Sequence, residues 1–338
     1  MDLALKLARL GMHGVGANPM VGCVIEKDGK IIAKGYHQTF GQAHAEINAL
    51  NQINHQAQGA TLYVTLEPCS HQGKTPPCAQ AIIDSGAKKV IIAILDPNPL
   101  VSGKGVAILK KAGIEVEVGL LEDQALVQNR GFIKRMKTGL PFVTCKIAMS
   151  LDGKTSMSSG ESKWITSSSA RANVQKLRSE HQAIITGSGT ILADNPSMTV
   201  RLDHLNIAPL RVVIDGKNQI AGKTLNIFSD DAPTQIFNRE NTQLNQLGKL
   251  DLYDVLAQLG GQGVNSVLLE AGPGLIGAMI EENLINEFII YTAPVFMGSD
   301  ANSMTTLPIK NMTDKINLDI SDIRMVGNDI RITASICS

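Results

Sequence analysis

Strand-like and helix-like segments alternate along almost the whole chain, and this alternation limits the fold more than any other sequence feature. Short apolar runs, such as residues 61–66 and 89–95, predict buried strands, and the segments between such runs predict helices. Asp28-Gly29 separates two apolar runs near the N-terminus and predicts a hairpin. The pattern therefore predicts an α/β sandwich whose sheet is mostly parallel after an antiparallel opening hairpin.

A cluster of structure-breaking residues at positions 138–141 divides this alternation into two parts. The chain has 338 residues, more than one ordinary core accommodates, so we predict two α/β domains at residues 1–139 and 140–338. The predicted strands cover residues 21–26, 31–35, 61–66, 89–95, 114–119, 142–149, 183–186, 211–215, 266–270 and 287–292, with a hairpin within 323–336. The predicted helices cover residues 44–53, 77–85, 105–111, 122–137, 167–180, 252–259 and 275–283.

Composition and charge favour a small-molecule ligand. Lys and Arg (31) balance Asp and Glu (31), and aromatic residues make up 4% of the chain, which argues against nucleic-acid and membrane-surface binding. The first ten residues predict an amphipathic helix rather than a signal peptide, and the sequence has no apolar run long enough to span a membrane. The five scattered cysteines do not indicate a disulfide framework, so we expect a cytoplasmic protein.

Three residues of the first half form a predicted zinc site: His44, Cys69 and Cys78. A catalytic zinc takes three protein ligands and keeps one position for water, whose pKa it lowers. Glu46 lies two residues after His44 at the start of a predicted helix, where it can move a proton from the water to leaving ammonia. Nearby prolines place both cysteines near predicted helix N-termini, which favour thiolates.

Two other interpretations of these residues remain open. A structural zinc site has four protein ligands, and His71 could be the fourth. Alternatively, the cysteines belong to an ordinary core. In the general zinc-deaminase pattern His-x-Glu and Pro-Cys-x-x-Cys, two residues separate the cysteines, whereas eight separate Cys69 from Cys78.

The second half contains candidate phosphate-binding and cationic residues. The segment from Gly272 to Gly277 matches G-x-G-x-x-G between a predicted strand and helix, which favours phosphate binding, although a simple tight turn is the alternative. Because the motif falls on a late strand, it does not indicate a Rossmann fold. Arg178 and Arg201 could bind a substrate phosphate or could be solvated charges. Lys146 interrupts an apolar strand and must therefore face a cleft or a partner.

The combined motifs resemble those of the bifunctional deaminase/reductase family of riboflavin biosynthesis, the RibD type. The resemblance covers essentially the whole chain, with Ala17 as one departure, where a proline is expected. Its most specific element is the loop between the two cysteines. The matching segments are Asn18-Pro19-Met20-Val21-Gly22, His44-Ala45-Glu46, residues 67–78, Asp96-Pro97-Asn98-Pro99, residues 145–153, residues 162–166, Gly187-Ser188-Gly189-Thr190, residues 194–201 and residues 270–274.

This resemblance implies a cytidine-deaminase-like α/β/α sandwich followed by a dihydrofolate-reductase-like α/β domain that uses NADPH. The implied substrate is a phosphorylated pyrimidine, a diaminopyrimidinone ribosylamine 5′-phosphate, which is deaminated and then reduced to a ribityl compound. Lys146 is the implied catalytic residue of the reductase. The implied NADPH contacts are Ala148, Trp164, Thr190, Asp194, Gly272, Pro273, Gly274, Leu275, Ile276, Gly277 and Ala278. Substrate contacts are assigned to Asn18, His37, Ser162, Arg178, Met198, Arg201 and Glu270.

Several alternatives remain at this level. Trp164, the only tryptophan, is a core residue in the competing interpretation. The chain could instead be another base or nucleoside deaminase fused to an unrelated α/β domain, or a zinc-stabilised binding protein without catalytic activity. The oligomeric state is left open, with a homo-oligomer among the predictions.

Overall fold

The computed structural model describes residues 1–70, 77–98, 101–203 and 205–337. The chain forms two compact units, Met1–Gly139 and Leu140–Ser338. Parts of the predicted motifs, namely His71 with the rest of residues 71–76, and Pro99, lie outside the described residues.

The first unit contains one mixed sheet with the strand order β2-β1-β3-β4-β5. The pairs β1–β2 and β1–β3 are antiparallel, whereas β3–β4 and β4–β5 are parallel. The opening hairpin is as predicted, but the sheet is parallel in only half of its pairings. The strands are β1 (Gly22–Lys27), β2 (Lys30–Tyr36), β3 (Thr61–Leu66), β4 (Lys89–Ile94) and β5 (Glu115–Val118), and the helices are α1 (Asp2–Arg9), α2 (Ala45–Leu50), α3 (Cys78–Asp84), α4 (Lys104–Lys111), α5 (Glu122–Gln128) and α6 (Arg130–Thr138).

Two groups of helices cover this sheet. Helices α2, α3 and α4 contact one another in sequence, and α1 contacts α5, which contacts α6. Strand β4 is almost continuously buried, as expected for a strand covered on both faces. In this α/β/α sandwich, β3 and β4 end close to where α3 and α4 begin.

The predicted helix over residues 122–137 is interrupted at Asn129. The Asn129 side chain pairs with the backbone of Met20: its Nδ2 donates to the Met20 carbonyl (2.9 Å), and its Oδ1 accepts from the Met20 N–H (2.8 Å). Asn129 is buried, and its backbone is not helical. This tertiary contact fixes the position of the segment around Asn18. Helical periodicity in the sequence could not reveal the contact.

The second unit contains an eight-stranded sheet with the order β10-β9-β8-β11-β6-β12-β15-β14. The strands from β10 to β12 pair in parallel, and β15 and β14 add an antiparallel edge. The strands are β6 (Phe142–Ser150), β7 (Lys154–Ser156), β8 (Ala183–Gly187), β9 (Leu210–Ile214), β10 (Thr234–Phe237), β11 (Ser266–Leu269), β12 (Glu287–Ala293), β13 (Asn302–Ser303), β14 (Leu318–Val326) and β15 (Asp329–Ile336), and the helices are α7 (Ser168–Ser179), α8 (Ser188–Asp194), α9 (Leu252–Gly261) and α10 (Pro273–Glu281).

Helices pack against both faces of this sheet. Leu256 of α9 and Ile276 of α10 belong to one apolar cluster with Cys145 of β6, while Leu177 of α7 belongs to a second cluster. Two helices begin with side-chain caps: Ser167 accepts from an N–H of α7, and Asp251 accepts from two N–H groups of α9. Because β8, β11 and β6 are parallel neighbours, their carboxyl ends share one edge of the sheet, where open α/β sheets bind ligands.

Candidate active sites

The first site lies where two helices of the first unit begin. His44 immediately precedes α2, Cys69 follows β3, and Cys78 is the first residue of α3. One ligand atom from each residue lies within 4.8 Å of the other two. The structure therefore brings the three predicted metal ligands together from segments 25 and 34 residues apart.

The geometry of this cluster fits a tetrahedral metal ion. The Nδ1 atom of His44 lies 3.3 Å from the Cys78 sulfur and 3.6 Å from the Cys69 sulfur. Ligand atoms about 2.1 and 2.3 Å from a tetrahedral zinc would be roughly 3.6 Å apart. His71, the alternative fourth ligand, lies outside the described residues. Among the described residues, the donor set therefore consists of one imidazole and two thiolates, which fits a zinc ion that keeps its fourth position for water.

Local hydrogen bonds favour a thiolate at Cys69. The Cys69 sulfur accepts from the backbone N–H of Cys78 (3.2 Å). The Cys78 thiol and the other hydrogen bonds to Cys69 lower the pKa of Cys69 to about 4, while the pKa of Cys78 is raised well above its usual range. Cys78 is the first residue of α3, and the Cys69 sulfur accepts the N–H at that same helix start, so both cysteines lie near a helix N-terminus as predicted. A divalent cation stabilises both thiolates.

Glu46 is a buried carboxyl group beside the cluster. It lies in the first turn of α2 and is 3% exposed. Burial raises the pKa of Glu46 to about 7, although the nearby His44 opposes this shift. A pKa near the operating pH suits a group that accepts and then donates a proton. Glu46 therefore has the environment predicted for a proton shuttle.

A cavity of about 210 Å³ opens onto these side chains. Its lining includes His44, Glu46 and Cys69, together with Asn18 and His37, two of the residues predicted to bind substrate. The remaining lining residues are Pro19, Val21, Leu66, Glu67, Asp96 and Phe132. The cluster, the buried carboxyl group and the predicted substrate contacts thus share one cavity.

Hydrogen bonds fix the orientation of Asn18. The Nδ1 atom of His37 lies 3.1 Å from the Ala43 carbonyl, which only a protonated Nδ1 can satisfy. The Nε2 atom of His37 is then an acceptor, and it lies 3.0 Å from the Asn18 amide nitrogen. Burial also lowers the pKa of His37, which favours this neutral form. The other end of the Asn18 amide is therefore an acceptor oxygen.

Glu67 is a buried residue whose contacts sequence reasoning missed. Its carboxylate accepts three backbone N–H groups, from Asp96, Gly103 and Val106. From the sequence, Glu67 is predicted only as part of the family segment 67–78 that contains Cys69. The partners of Glu67 follow it by 29 to 39 residues, so no local pattern indicates them.

The second site centres on a triad of charged residues, the buried Glu270 and Arg178 and the partly buried Lys146. Lys146 lies on β6, Glu270 follows the neighbouring strand β11, and Arg178 lies on α7. The Lys146 ammonium is 3.2 Å from Glu270 Oε2, and Arg178 contacts both Glu270 oxygens at 2.6 and 3.1 Å. Burial alone would raise the pKa of Glu270, but the two cations hold it well below its usual range.

The structure changes the interpretation of the two arginines. Arg178 makes its bidentate contact with Glu270 and also donates to the Thr199 carbonyl (3.0 Å), so its guanidinium is occupied by protein groups. One of its nitrogens also lies 4.0 Å from the sulfur of Met198, which is buried. Arg201 is exposed. Of the two, Arg201 is the one with an accessible side chain for a phosphate.

Other predicted cofactor and substrate residues lie on loops and strand ends of the second unit. The Ser162 hydroxyl donates to Asp194 at 2.9 Å. The Trp164 ring is 71% exposed and stacks against the Arg171 guanidinium at 4.5 Å, so the alternative of a core tryptophan was wrong. Ala148 is half-buried on β6.

The two glycine-containing segments adjoin each other. A Cβ atom added to Gly272 would lie 3.8 Å from the Thr190 hydroxyl, and one added to Gly187 would lie 3.6 Å from Leu275. A Cβ atom at Gly274 would meet nothing within 4 Å, so the start of α10 is open to a ligand there. Gly277 differs, because its Cβ would lie 2.0 Å from the Thr306 carbonyl. The last glycine of the motif is therefore required for packing.

Comparisons with known proteins match both units. The family model for the "Cytidine and deoxycytidylate deaminase zinc-binding region" matches residues 1–94, and that for the "RibD C-terminal domain" matches residues 141–332. The chain is 44% identical over 354 residues to the Riboflavin biosynthesis protein RibD of Escherichia coli (strain K12), covering 98% of this chain and 96% of that protein. The chain belongs to the RibD family.

Further RibD proteins agree with this assignment. The Bacillus amyloliquefaciens protein is 43% identical, with 99% of this chain and 95% of that protein covered. The solved structure of Acinetobacter baumannii RibD, form 1, is 41% identical, with a TM-score of 0.90 and coverage of 100% and 98%. A Thermotoga maritima structure described as a diaminohydroxyphosphoribosylaminopyrimidine deaminase/5-amino-6-(5-phosphoribosylamino)uracil reductase is 32% identical, with a TM-score of 0.90 and coverage of 100% and 97%.

Family membership confirms the predicted fold class and the predicted bifunctional activity. The chain is a deaminase and reductase of riboflavin biosynthesis, with a zinc-binding deaminase domain and a reductase domain. It is therefore neither a deaminase fused to an unrelated domain nor a binding protein without catalytic activity. Among the described helices, none combines the length and apolarity that crossing a membrane requires.

Proposed function

We propose that the first domain deaminates 2,5-diamino-6-ribosylamino-4(3H)-pyrimidinone 5′-phosphate and that the second domain reduces the deaminated product with NADPH. The final product is 5-amino-6-ribitylamino-2,4(1H,3H)-pyrimidinedione 5′-phosphate. The observation that carries the proposal is the pairing of two sites in one chain. One joins His44, Cys69 and Cys78 to a buried Glu46, and the other joins Lys146 to Glu270.

In the deaminase domain, each residue has a defined task. His44, Cys69 and Cys78 would hold the zinc ion, which would supply Lewis-acid activation of water. Glu46 takes a proton from the attacking water and delivers it to the departing amino group, so that water is consumed and ammonia is released. The Asn18 amide oxygen, oriented by His37, accepts a hydrogen bond from an N–H of the pyrimidine. Burial of Glu46 keeps bulk water from competing for its proton.

In the reductase domain, Lys146 is the proton donor. NADPH, when bound, would supply the hydride that reduces C1′ of the ribose. The bond between C1′ and the ring oxygen breaks, and the ring oxygen takes a proton from the Lys146 ammonium. Glu270, held ionised by Arg178, fixes the position of that ammonium. Arg178 therefore assists substrate binding through Glu270, while Arg201, with Ser162 and Met198, is assigned to direct contact.

NADPH is assigned to the edge of the sheet where β8 and β11 end. The open start of α10 at Gly274 and the adjoining Thr190 form a cradle for a cofactor phosphate. The contacts assigned to NADPH are Ala148, Trp164, Thr190, Asp194, Gly272, Pro273, Gly274, Leu275, Ile276, Gly277 and Ala278, of which Gly277 contributes by packing. Turnover with NADH equal to that with NADPH would contradict the preference for the phosphorylated cofactor.

One incubation tests the proposed reaction sequence. The purified chain is given the diaminopyrimidinone ribosylamine phosphate with and without NADPH, and the products are identified by mass. We expect ammonia and the deaminated ribosyl compound without NADPH, and the ribityl compound with it. Reduction of the substrate before any ammonia appears would contradict the proposed order.

We also propose that the chain forms a homo-oligomer through the edge strand β14. Ile320, Ile323 and Met325 of this strand are 57%, 61% and 62% exposed. A bulge between Ile320 and Asp322 leaves both isoleucines opposite apolar residues of β15 (Ala334 and Ile332), so they share one face. An exposed edge strand with an aliphatic face is a ready site for pairing with another strand.

The charged residues of β14 are complementary to those of β14 in a second copy of this chain, which identifies that copy as the partner. Two-fold antiparallel pairing centred on Ile323 would place Asp322 of each copy opposite Arg324 of the other. Sedimentation velocity tests the proposal with Ile323→Lys, which we expect to shift the protein to a smaller species. Leu247→Lys, at an exposed leucine in a loop beside β9 and β10, is the control. Identical sedimentation of Ile323→Lys and wild type would contradict this interface.

A cytoplasmic location is the last part of the proposal. Cys69 and Cys78 hold zinc only as thiolates, and a reducing compartment preserves them. Titration of free thiols in protein purified without reductant checks this expectation. A disulfide involving Cys69 or Cys78 would contradict it.

A further inference from the structure

Glu67 joins three separate segments around the deaminase cavity. It follows β3, is 5% exposed and lies two residues before Cys69. Its Oε2 accepts the backbone N–H groups of Asp96 (3.1 Å) and Gly103 (2.9 Å), and its Oε1 accepts the N–H of Val106 (3.2 Å). Asp96 lines the cavity, so this carboxylate connects the turn that carries a metal ligand to a cavity wall.

The same carboxylate caps the N-terminus of α4, although Glu67 is far from that helix in the sequence. In an ordinary capping box, two residues of one helix start satisfy the N–H groups of the N-cap and N3 positions. Here Gly103 is the N-cap residue and provides no side-chain cap, and Val106 occupies N3. Glu67 accepts both N–H groups, and its negative charge suits the positive end of the helix. The start of α4 therefore depends on a residue of the metal-binding turn.

Close packing reinforces this connection. A Cβ atom at Gly105 would lie 2.1 Å from the Pro68 carbonyl oxygen, so the first turn of α4 lies directly against the turn that leads into Cys69. Backbone atoms meet there, and neither side can move away without moving the helix or the ligand turn. Movement of α4 would therefore be transmitted to Cys69.

We propose that Glu67 is a positioning residue of the deaminase site, which holds Cys69 and Asp96 in a fixed relative geometry. Glu67 does not itself need to contact substrate or metal. It clamps the Pro68-Cys69 turn to the start of α4 and to the Asp96 loop. This assignment rests on the proposed function of the first domain as a zinc-dependent deaminase, and it adds a residue to which that function assigns no role.

The test measures zinc retention and deamination in the full-length protein. In Glu67→Gln, one of the two acceptor oxygens is replaced by a donor, so three N–H groups can no longer all be accepted. Loss of an outer partner of a metal ligand typically costs about 10–100-fold in metal affinity or activity. We expect zinc transfer to a chelator to accelerate by about that factor. The KM for deamination should also rise, because the Asp96 wall shifts.

A second variant disturbs the contact between the Pro68-Cys69 turn and α4 through a substitution in the helix. Gly105→Ala keeps the Glu67 carboxylate but forces a methyl group against the Pro68 carbonyl and to within 3.2 Å of Glu67 Oε1, and we expect the same faster zinc release. Lys104→Ala, at the exposed neighbouring position, is its matched control. Val90→Ala, in the core of β4, is the control for general destabilisation of the domain. Reduction of previously deaminated substrate should be unchanged in all variants.

The outcomes separate this inference from the proposed function. If Glu67→Gln is destabilised like Val90→Ala but keeps the zinc release and KM of that control, Glu67 supports only the fold and the positioning role is wrong. If the wild-type chain binds zinc but releases no ammonia from the pyrimidine, the proposed function fails. In that case zinc release from Glu67→Gln still decides whether the residue positions Cys69.

Discussion

The deaminase and reductase sites use buried carboxylates in opposite ways. In the first domain, burial raises the pKa of Glu46 to about 7, which prepares it to exchange a proton. In the second, Arg178 and Lys146 hold the pKa of Glu270 well below its usual range, which keeps it ionised. A carboxyl group whose pKa is raised by burial can work as an acid and base, whereas one between two cations works as a fixed anion.

The two sites also differ in how their residues are distributed along the chain. The deaminase residues lie in two short motifs, and the ligand atoms of His44, Cys69 and Cys78 come together at one candidate metal position. The reductase residues come from two neighbouring strands and from α7, and direct ion pairs join them. Substitutions should therefore separate the two activities, and the following predictions test this separation.

The largest effect is expected for Cys78→Ser. Loss of one of three thiolate and imidazole ligands should remove nearly all bound zinc and all ammonia release. Zinc content by metal analysis and ammonia release are measured together, with reduction of previously deaminated substrate as the control. A variant that retains full zinc and full ammonia release would show that Cys78 is not a ligand.

Glu46→Ala should remove deamination without removing the metal. Glu46 is not a ligand in the proposed site, so zinc should stay bound, while ammonia release should fall by about 10²–10⁴-fold, the usual contribution of general acid–base catalysis. NADPH oxidation with previously deaminated substrate should remain close to the wild-type rate. If that reduction is also abolished while zinc content and folding are normal, the assignment of two independent sites is wrong.

Lys146→Met should have the reverse selectivity. Removal of the proton donor should slow NADPH oxidation by at least about 100-fold, while ammonia release from the starting pyrimidine continues. Methionine keeps much of the length of the lysine side chain, which limits changes in packing. Normal NADPH oxidation by this variant would exclude Lys146 as the donor.

A pair of arginine variants sharpens the comparison within the reductase domain. Arg178→Met leaves the buried Glu270 with one cation fewer, and removing one partner of a buried ion pair typically costs about 3–5 kcal/mol of stability. Arg201→Gln, at an exposed position, should leave the free energy of unfolding unchanged and raise the KM of the reductase. Denaturant unfolding and kinetics of both variants measure this difference. Equal stability of Arg178→Met and wild type would contradict the structural role of Arg178.

Much of the fold was predictable from local patterns. The hairpin at Asp28-Gly29 and the buried strands follow from turn chemistry and apolar runs, which act over a few residues. The break at Asn129 was not predictable, because it depends on hydrogen bonds to Met20, 109 residues away. The strands β7, β10 and β13 and the helix α8 were likewise not predicted from the sequence.

At the two sites, the order of amino acids alone indicates which chemical groups are available. The spacing of His44, Glu46, Cys69 and Cys78 indicated a zinc site with a separate proton carrier, because few other chemistries use that set. It also indicated a cationic residue inside an apolar strand at Lys146.

Only the tertiary structure decided which partner each charged group has. It paired Arg178 with Glu270, placed Trp164 at the surface and gave Glu67 the backbone N–H groups of α4 and the Asp96 loop. The physical reason is that pKa values, ion pairs and long-range caps depend on distance and burial in space. Residues far apart in sequence set both quantities, and no local pattern encodes them.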